Sequence, residues 1–497
     1  MAAPLHAAVD LGAGSGRVLV GGFSPDQITF EEAHRFAYAP RQRGGCLRWD
    51  FDRLLSGMRD GLRQAGTIAA REQRPLRSVG VDSWGVDYGL VDDDGRLVEE
   101  PVCYRDGRSA PMMERAFRHI DRETIFRETG IQFLPFNTIF QLMAHVNDGL
   151  PPAARRLLMV PDLCHHALCG STCGEPTNAS TTQLLDVVSG DWDAVIFERL
   201  RLPRVLMAPL RPAGTSLGAL RADLQRDLLL PGASVIQPAT HDTASAVAGT
   251  PLRAAWAFIS SGTWSLVGVE RPAPLLDAAV LAANFTNERG VDGTFRFLKN
   301  VAGLWILDCC TREWQSAGVD ASLPRLLEGA AALQGTRGVV DPDAPRFFNP
   351  ASMVDELRAA LLETDQESPA DPIVLTKVIL DSLACRYASV TRTIERLTCS
   401  RIEGIHIVGG GSRNDYLNQA TANATGRPVL AGPVEATGLG NLLIQAVSCG
   451  VTTLAEGREW IGRSFAARRF DPVESAAWTT AAKRYDAIER TREGSPT

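Results

Sequence analysis

Residues 235–270 read VIQPATHDTASAVAGTPLRAAWAFISSGTWSLVGVE. An apolar run ends in His241-Asp242-Thr243, and the small residues after it have the apolar spacing of a helix start. Residues 255–259 are predicted to form a buried strand. The strand breaks at Ser260-Ser261-Gly262-Thr263 and resumes over 264–268. Strand, small hydroxyl-and-glycine turn, strand is a hairpin whose tip offers backbone N–H groups and hydroxyls, enough to hold a phosphate. A carboxylate, Asp242, lies just upstream between a His and a Thr. A base beside a phosphate cradle is the simplest inventory for moving a phosphoryl group to an alcohol.

At 497 residues the chain is long enough for two or three domains with ample core. A net charge of −7 leaves no electrostatic footprint for nucleic acid or an anionic membrane. No run of apolar residues approaches a membrane span. The start, MAAPLHAAVDLG, lacks a basic stretch followed by an apolar core, so no secretory signal is expected. Ten cysteines in so long a chain are not a disulfide framework, and the expected location is cytoplasmic. Cys164-His165-His166, Cys169 and Cys173 have a spacing that could hold zinc. They lie in VPDLCHHALCG, however, which reads as one apolar helix turning at Gly170, and buried free thiols are the stronger reading.

The chain opens on a strand over 5–9, then Asp10-Leu11-Gly12-Ala13-Gly14-Ser15-Gly16-Arg17, then a strand over 18–23. A dinucleotide fingerprint would need a third glycine where Arg17 stands, and a helix where VLVGGF stands. This is instead a second hairpin loop of the kind seen at Ser260. Its glycines permit close backbone approach to an anion. Asp10, at a strand end beside the loop, suits Mg²⁺ held directly or through water; it could equally cap a tight turn.

Residues 51–68 carry helical spacing. Residues 77–90, RSVGVDSWGVDYGL, are two strands interrupted by Asp82-Ser83-Trp84-Gly85. Asp82, Asp87 and Trp84 around one glycine are a sugar-binding mixture, with core packing as the alternative for Trp84. In GIQFLPFNT (130–138) the amides Gln132 and Asn137 sit in an apolar run and need partners, backbone or substrate. Asn300 is expected to cap an apolar helix over 301–310 or to face a nucleotide. A long helix is expected over 374–397. At 405–414 a strand runs into Gly409-Gly410-Gly411-Ser412-Arg413-Asn414 and opens a helix, so a flat adenosine can pack on bare backbone. A strand over 428–430, a helix over 438–445 and a helical run over 475–490 close the chain.

Two hairpin phosphate loops, one in each half, point to a duplicated domain. The segments VDLGAGSGRV, GVDSWGVDY, GIQFLPFNT, TNASTTQLLD, HDTASAV, SSGTWSL, HIVGGGSRN and AGPVEATGLGN resemble those of the FGGY family of carbohydrate kinases, and within it the rhamnulokinase branch. The resemblance covers residues 9–450. It implies an α/β chain with two ribonuclease H-like domains of the actin, hexokinase and Hsp70 type and a cleft between them. The implied domains are 1–246, carrying the sugar site and the base; 247–460, carrying the nucleotide site; and a helical tail over 461–497. It implies that Ala13, Gly14, Ser15, Gly16, Arg17, Thr263, Asn300, Asp308 and Gly410 contact ATP. Gly85, His241, Asp242 and Thr243 are implied to contact sugar, with Asp82 and Trp84 beside them, and Asp242 is implied to be the catalytic base. Asp308 stands where a rhamnulokinase has Gln, and an acid does not favour a phosphate.

The resulting expectation is transfer of the γ-phosphoryl group of MgATP to a primary hydroxyl of L-rhamnulose, giving the 1-phosphate. Sugar-driven domain closure is expected to exclude water. Another ketose (L-fuculose, D-xylulose or L-ribulose) is the alternative within the fold. A non-catalytic ATP-binding scaffold is the alternative outside it, against which the intact His-Asp-Thr triplet argues. A monomer or homodimer without nucleic-acid or membrane partners completes the expectation.

Overall fold

The computed structural model describes residues 3–473 and 476–493. The chain divides into two compact units. The first comprises Met1–Pro251, Glu270–Phe297 and Ala436–Phe465; the second comprises Leu252–Val269, Leu298–Glu435 and Ala466–Thr497.

In the first unit Leu5–Leu11 and Ser15–Phe23 pair antiparallel, with Asp10 opposite Arg17, and Ile28–Ala37 continues the sheet at its edge. On the other side Leu5–Leu11 runs parallel to Leu76–Ser83, which runs parallel to Ser234–Ile236; Ser216–Ala219 closes the six-stranded order. The central strands are buried along their length, so they read as apolar runs rather than as alternation. Parallel neighbours need crossover connections. The helix Phe51–Glu72 supplies the first of these and presents Leu54, Met58 and Leu62 to the core. Its N-cap Asp50 accepts from Arg53 N, and Gln73 ends it in a left-handed conformation.

The second unit repeats the plan. Trp256–Ser261 pairs antiparallel with Trp264–Arg271 and parallel with Gly404–Val408, which runs parallel to Val429–Ala431. Arg468–Phe470 closes one edge antiparallel, and Phe295–Ala302 lies beyond Trp264–Arg271. Between them runs the helix Pro372–Thr398, started by Asp371 with Pro372 in its first turn. A tight antiparallel hairpin followed by two parallel strands therefore occurs twice, which is the duplicated ribonuclease H-like arrangement.

One element differs from expectation. Residues 299–302 continue the strand Phe295–Ala302, and the helix begins only at Trp305. Val301 is fully buried in the sheet, and the change from strand to helix falls at Gly303 and Leu304. A Cβ on Gly303 would lie 2.5 Å from Gly262 O, so only glycine lets the chain pass there. Asn300 is thus a strand residue and caps no helix. The start of the expected 475–490 run, Ser475, lies outside the described residues; the helix described there is Ala476–Glu493. Among the described residues no helix is long and apolar enough to cross a membrane.

The helix Ala436–Ser448 returns to the first unit and packs against Asp242–Ala248. The two backbones almost touch: a Cβ on Gly440 would lie 1.8 Å from Ser245 O, and one on Gly249 would lie 2.3 Å from Ala436 O. This contact packs the helix that begins at Asp242 directly on the returning helix. Gly440→Ala forces the helices apart and is expected to cost about 1–3 kcal/mol. Urea denaturation measures this; an unchanged midpoint would show that the contact is slack.

Candidate functional site

Asp10, Asp82 and Asp242 come from three neighbouring elements of the first unit. Asp10 and Asp82 are cross-strand partners in the parallel register of Leu5–Leu11 and Leu76–Ser83. Asp242 follows the next parallel strand and begins the helix Asp242–Ala248. Ser83 N donates to Thr240 O at 2.9 Å, which carries the sheet almost to the triplet.

Each acid has a different environment. Asp10 is paired with Arg17, at 2.8 Å to Nε and 2.7 Å to Nη2. Asp82 is fully buried. Asn441 Nδ2 donates to its Oδ2 at 2.5 Å, while its Oδ1 is buried without a partner among the described residues. Burial, and then the neighbouring Asp10 carboxylate, push its pKa well up. Asp242 keeps 31% of its side chain open. Its Oδ1 accepts from Thr243 N at 2.5 Å and Thr243 Oγ1 at 3.1 Å. Desolvation raises its pKa, His241 opposes the shift, and Asp10 adds to it.

The triplet is held from beneath by residues the sequence did not single out. Glu175, fully buried, accepts from Thr240 N at 2.9 Å, from Thr240 Oγ1 at 3.0 Å and from Thr177 Oγ1. Thr177 Oγ1 in turn accepts from His241 N at 3.2 Å. Glu288 and Arg296 form an ion pair of 3.0 Å against the His241 ring. All of these partners are more than fifty residues from the triplet or are ordinary in type, so no spacing reveals them.

Gly85 lies where a Cβ would sit 2.8 Å from Thr181 Oγ1. The next residue, Val86, has φ 68, a strained conformation for a β-branched side chain. Thr138 Oγ1 and Gln141 Nε2 donate to its carbonyl, and its N–H donates to Thr181 Oγ1, so GIQFLPFNT and TNASTT clamp this turn. Trp84 is 6% exposed, with its ring centroid 4.7 Å from that of Trp49. Its Nε1 donates to Asp87, which also accepts from Trp49 Nε1, Gln141 Nε2 and Tyr104 N. Both carboxyl oxygens of Asp87 are therefore engaged, and burial holds its pKa at about 6. Asn137 donates to Gln132 O and Gln183 Oε1, a structural role.

The turn after the first strand is open at its tip. Gly14 and Ser15 are exposed, and a Cβ on Gly14 would meet nothing. Tyr38 fixes the turn from behind through Gly12 O at 2.5 Å, and its own N–H donates to Gly14 O at 3.2 Å. Gly16 has no such room, because a Cβ would strike Phe36 at 2.4 Å.

In the second unit the equivalent turn, Gly262-Thr263, is bound to the segment after the strand: Leu304 N donates to Gly262 O at 2.9 Å and Trp305 N to Thr263 O at 3.3 Å. The glycine loop packs on it, since a Cβ on Gly411 would overlap Ser261 Oγ. Gly410 itself is open, and Gly409 has φ 80. Asn300 and Thr263 are half-buried. Asp308 is exposed in the first turn of Trp305–Ser316, where the helix dipole favours an acid.

Among the described residues, the cysteines and histidines of the run 164–173 do not gather into a metal-ligating group. His165 Nε2 accepts from Val81 N, and both ring nitrogens of His166 face carbonyl oxygens, those of Ser171 and Gly95. Asp10, with the buried Oδ1 of Asp82 that has no partner among the described residues on the strand opposite, offers hard oxygen donors of the kind a divalent cation takes while keeping its waters.

The chain matches the N-terminal domain of the FGGY family of carbohydrate kinases over residues 5–249 and its C-terminal domain over 257–449. It is 38% identical over 472 residues to the rhamnulokinase of Bacillus subtilis (strain 168), covering 95% of this chain and 96% of that one. With the rhamnulokinase of Pectobacterium carotovorum subsp. carotovorum (strain PC1) the identity is 41% over 493 residues, 97% of this chain and 96% of the relative. The gluconate kinase of Lactobacillus acidophilus shares the fold with a TM-score of 0.80 at 13% identity, covering 99% of this chain and 98% of that chain. Plasmodium falciparum glycerol kinase, solved with ADP, does so with a TM-score of 0.77 at 12% identity over 98% of each.

The Asn441–Asp82 bond ties the returning helix to the acid cluster. Asn441→Leu removes that donor from a buried carboxyl and is expected to cost about 1–3 kcal/mol. Chemical denaturation checks this; full stability in the variant would mean that Asp82 finds another partner.

Proposed function

We propose that this chain, which belongs to the FGGY family of carbohydrate kinases, transfers the γ-phosphoryl group of ATP to the 1-hydroxyl of L-rhamnulose. The observation that carries the reading is Asp242: a partly open carboxylate at a helix start, desolvated by its surroundings and, among the described residues, without a lysine or arginine ion pair of its own. Such a group can accept a proton, whereas Asp10 is committed to Arg17 and Asp82 is sealed.

The sugar is held by Gly85, His241, Asp242 and Thr243, over a floor that includes Asp82 and Trp84. Asp242 takes the proton of the 1-hydroxyl as that oxygen attacks the γ-phosphorus. The bond to the β,γ-bridging oxygen breaks, and ADP leaves with its electron pair. In the first unit Ala13, Gly14, Ser15, Gly16 and Arg17 are assigned to the ATP phosphates, with Gly14 at the open tip. In the second unit Thr263, Asn300 and Gly410 are assigned to the nucleotide. Asp308 is assigned no phosphate, because its charge would repel one. Mg²⁺ held by Asp10, with Asp82 and Asp242 nearby, would supply charge withdrawal from the phosphates. The identity to rhamnulokinases over nearly the whole chain favours L-rhamnulose over other ketoses.

A product assay with L-rhamnulose and MgATP, read by ³¹P and ¹³C NMR, is expected to show the 1-phosphate. Turnover of L-fuculose, D-xylulose or L-ribulose in its place would reassign the substrate. Asp242→Asn is expected to lower kcat by about 10² to 10⁴ while ATP binding, followed by calorimetry, survives; near-normal turnover in this variant removes the base. Because the base works only when ionised and burial raises its pKa, activity should fall with pH through a limb above the ordinary Asp value of about 4. A kcat/KM profile flat down to that value would contradict the assignment.

A further inference from the structure

The helix Ala476–Glu493 belongs to the second unit and presents charges on its inward face. Tyr485 is fully buried and packs with Val339 and Cys385. Glu489 and Arg492, one and two turns on, lie on the same face. Glu489 accepts from Arg386 Nη1 and, at 2.6 Å, from Ser389 Oγ, both on Pro372–Thr398. Arg492 pairs with Asp341 at 2.6 Å. Arg386 is 2% exposed, and its Nε donates to Asp343 Oδ2 at 2.8 Å. The other oxygen of Asp343 accepts from Ala302 N at 2.7 Å. Glu489, Arg386, Asp343 and the Ala302 N–H thus form one unbroken line.

That line ends where the phosphate turn is seated. Ala302 is the last residue of its strand, and Gly303 after it passes Gly262. Leu304 N and Trp305 N then donate to the carbonyls of Gly262 and Thr263. The position of Ala302 therefore governs where the turn rests. Stability alone does not account for the line. Burying a guanidinium with two carboxylates is costly, and apolar side chains of equal volume commonly hold a core as well or better. The Nη2 of Arg386 is buried without a hydrogen bond among the described residues, which adds to the cost. The same two helices are already joined by the packing of Tyr485 on Cys385 and by an exposed pair, Arg392 and Asp486 at 2.6 Å. What the line adds is direction, because charge-assisted hydrogen bonds fix atoms where apolar contact fixes only area.

We propose that Asp343, Arg386 and Glu489 are positioning residues that seat the Gly262–Thr263 turn for the phosphates of ATP, which makes the C-terminal helix a part of the nucleotide site. This rests on the assignment of that turn to the nucleotide. With Glu489 neutralised, Arg386 is drawn from one side only. Its guanidinium turns and takes the Asp343 acceptor off Ala302 N. The turn keeps its contacts to Leu304 and Trp305, but the strand end behind them is no longer fixed.

The test is calorimetry of MgATP binding to the full-length protein without sugar. Glu489→Met and Arg386→Met should each weaken binding by about threefold or more, part of the worth of one hydrogen bond at the turn. Arg392→Met breaks the exposed pair between the same two helices, does not touch Asp343, and should leave the affinity unchanged. Binding closer to the wild type than threefold in Glu489→Met, or an equal loss in Arg392→Met, overturns the proposal. A mere strut would lower the melting temperature and leave the affinity of the folded protein as it was. Should Glu489→Met or Arg386→Met fail to fold, Glu489→Gln, which keeps the shape and loses the charge, decides by the same threshold. In steady state the loss should appear in KM for ATP and not in KM for L-rhamnulose; an equal rise in both contradicts it. The calorimetric arm needs no sugar. Wild-type protein that takes up no MgATP would sink the nucleotide reading itself, whereas a wild type that binds and variants that bind equally well would sink only this inference.

Discussion

Repulsion among Asp10, Asp82 and Asp242 is the constraint around which the first unit is built. Three carboxylates at the ends of neighbouring parallel strands are unfavourable together, and more so when one is sealed from water. The surrounding structure answers each one differently. Arg17, brought opposite Asp10 by the hairpin register, neutralises the first. Asn441, on the returning helix, satisfies one oxygen of the second. The third is left partly open; its Oδ1 accepts from a hydroxyl and an N–H, and an imidazole lies beside it. That asymmetry, rather than any property of aspartate itself, separates a base from a structural acid.

The returning helix shows how position is enforced. Gly440 and Gly249 let two backbones approach more closely than any side chain would allow. Farther along the same helix Gln445 donates to Ala7 O and Asn441 Oδ1 and accepts from Ser78 Oγ, which contacts His6. A buried polar ladder of this kind is costly unless every member is paired. It therefore fixes the helix in one register over the strands that carry Asp10 and Asp82.

Much of this was legible in the sequence. The two hairpins announce themselves through Gly12, Gly14 and Gly262 between apolar runs, and the triplet 241–243 stands at a strand-to-helix change. Local chemistry decided those features. What was not legible depends on distant partners. Glu175, Glu288 and Arg296 look like ordinary surface charges, and only the fold buries them beneath His241. The left-handed Val86 is held by Thr138, Gln141 and Thr181, none of them near it in the chain. Asn300 was expected at a helix start because its neighbours are apolar. The sheet claims it instead, because Gly303 is where the backbone must pass Gly262. The partners that fix Trp84, the Trp49 ring and the Asp87 carboxylate, were not legible either.

The account rests on a single short contact between Asp242 and the sugar. A crystal structure of the wild-type protein with L-rhamnulose and a non-hydrolysable MgATP analogue measures it directly. The 1-hydroxyl oxygen should lie within about 2.6–3.2 Å of an Asp242 carboxyl oxygen. A sugar bound in order with its 1-hydroxyl facing away from Asp242 would contradict it.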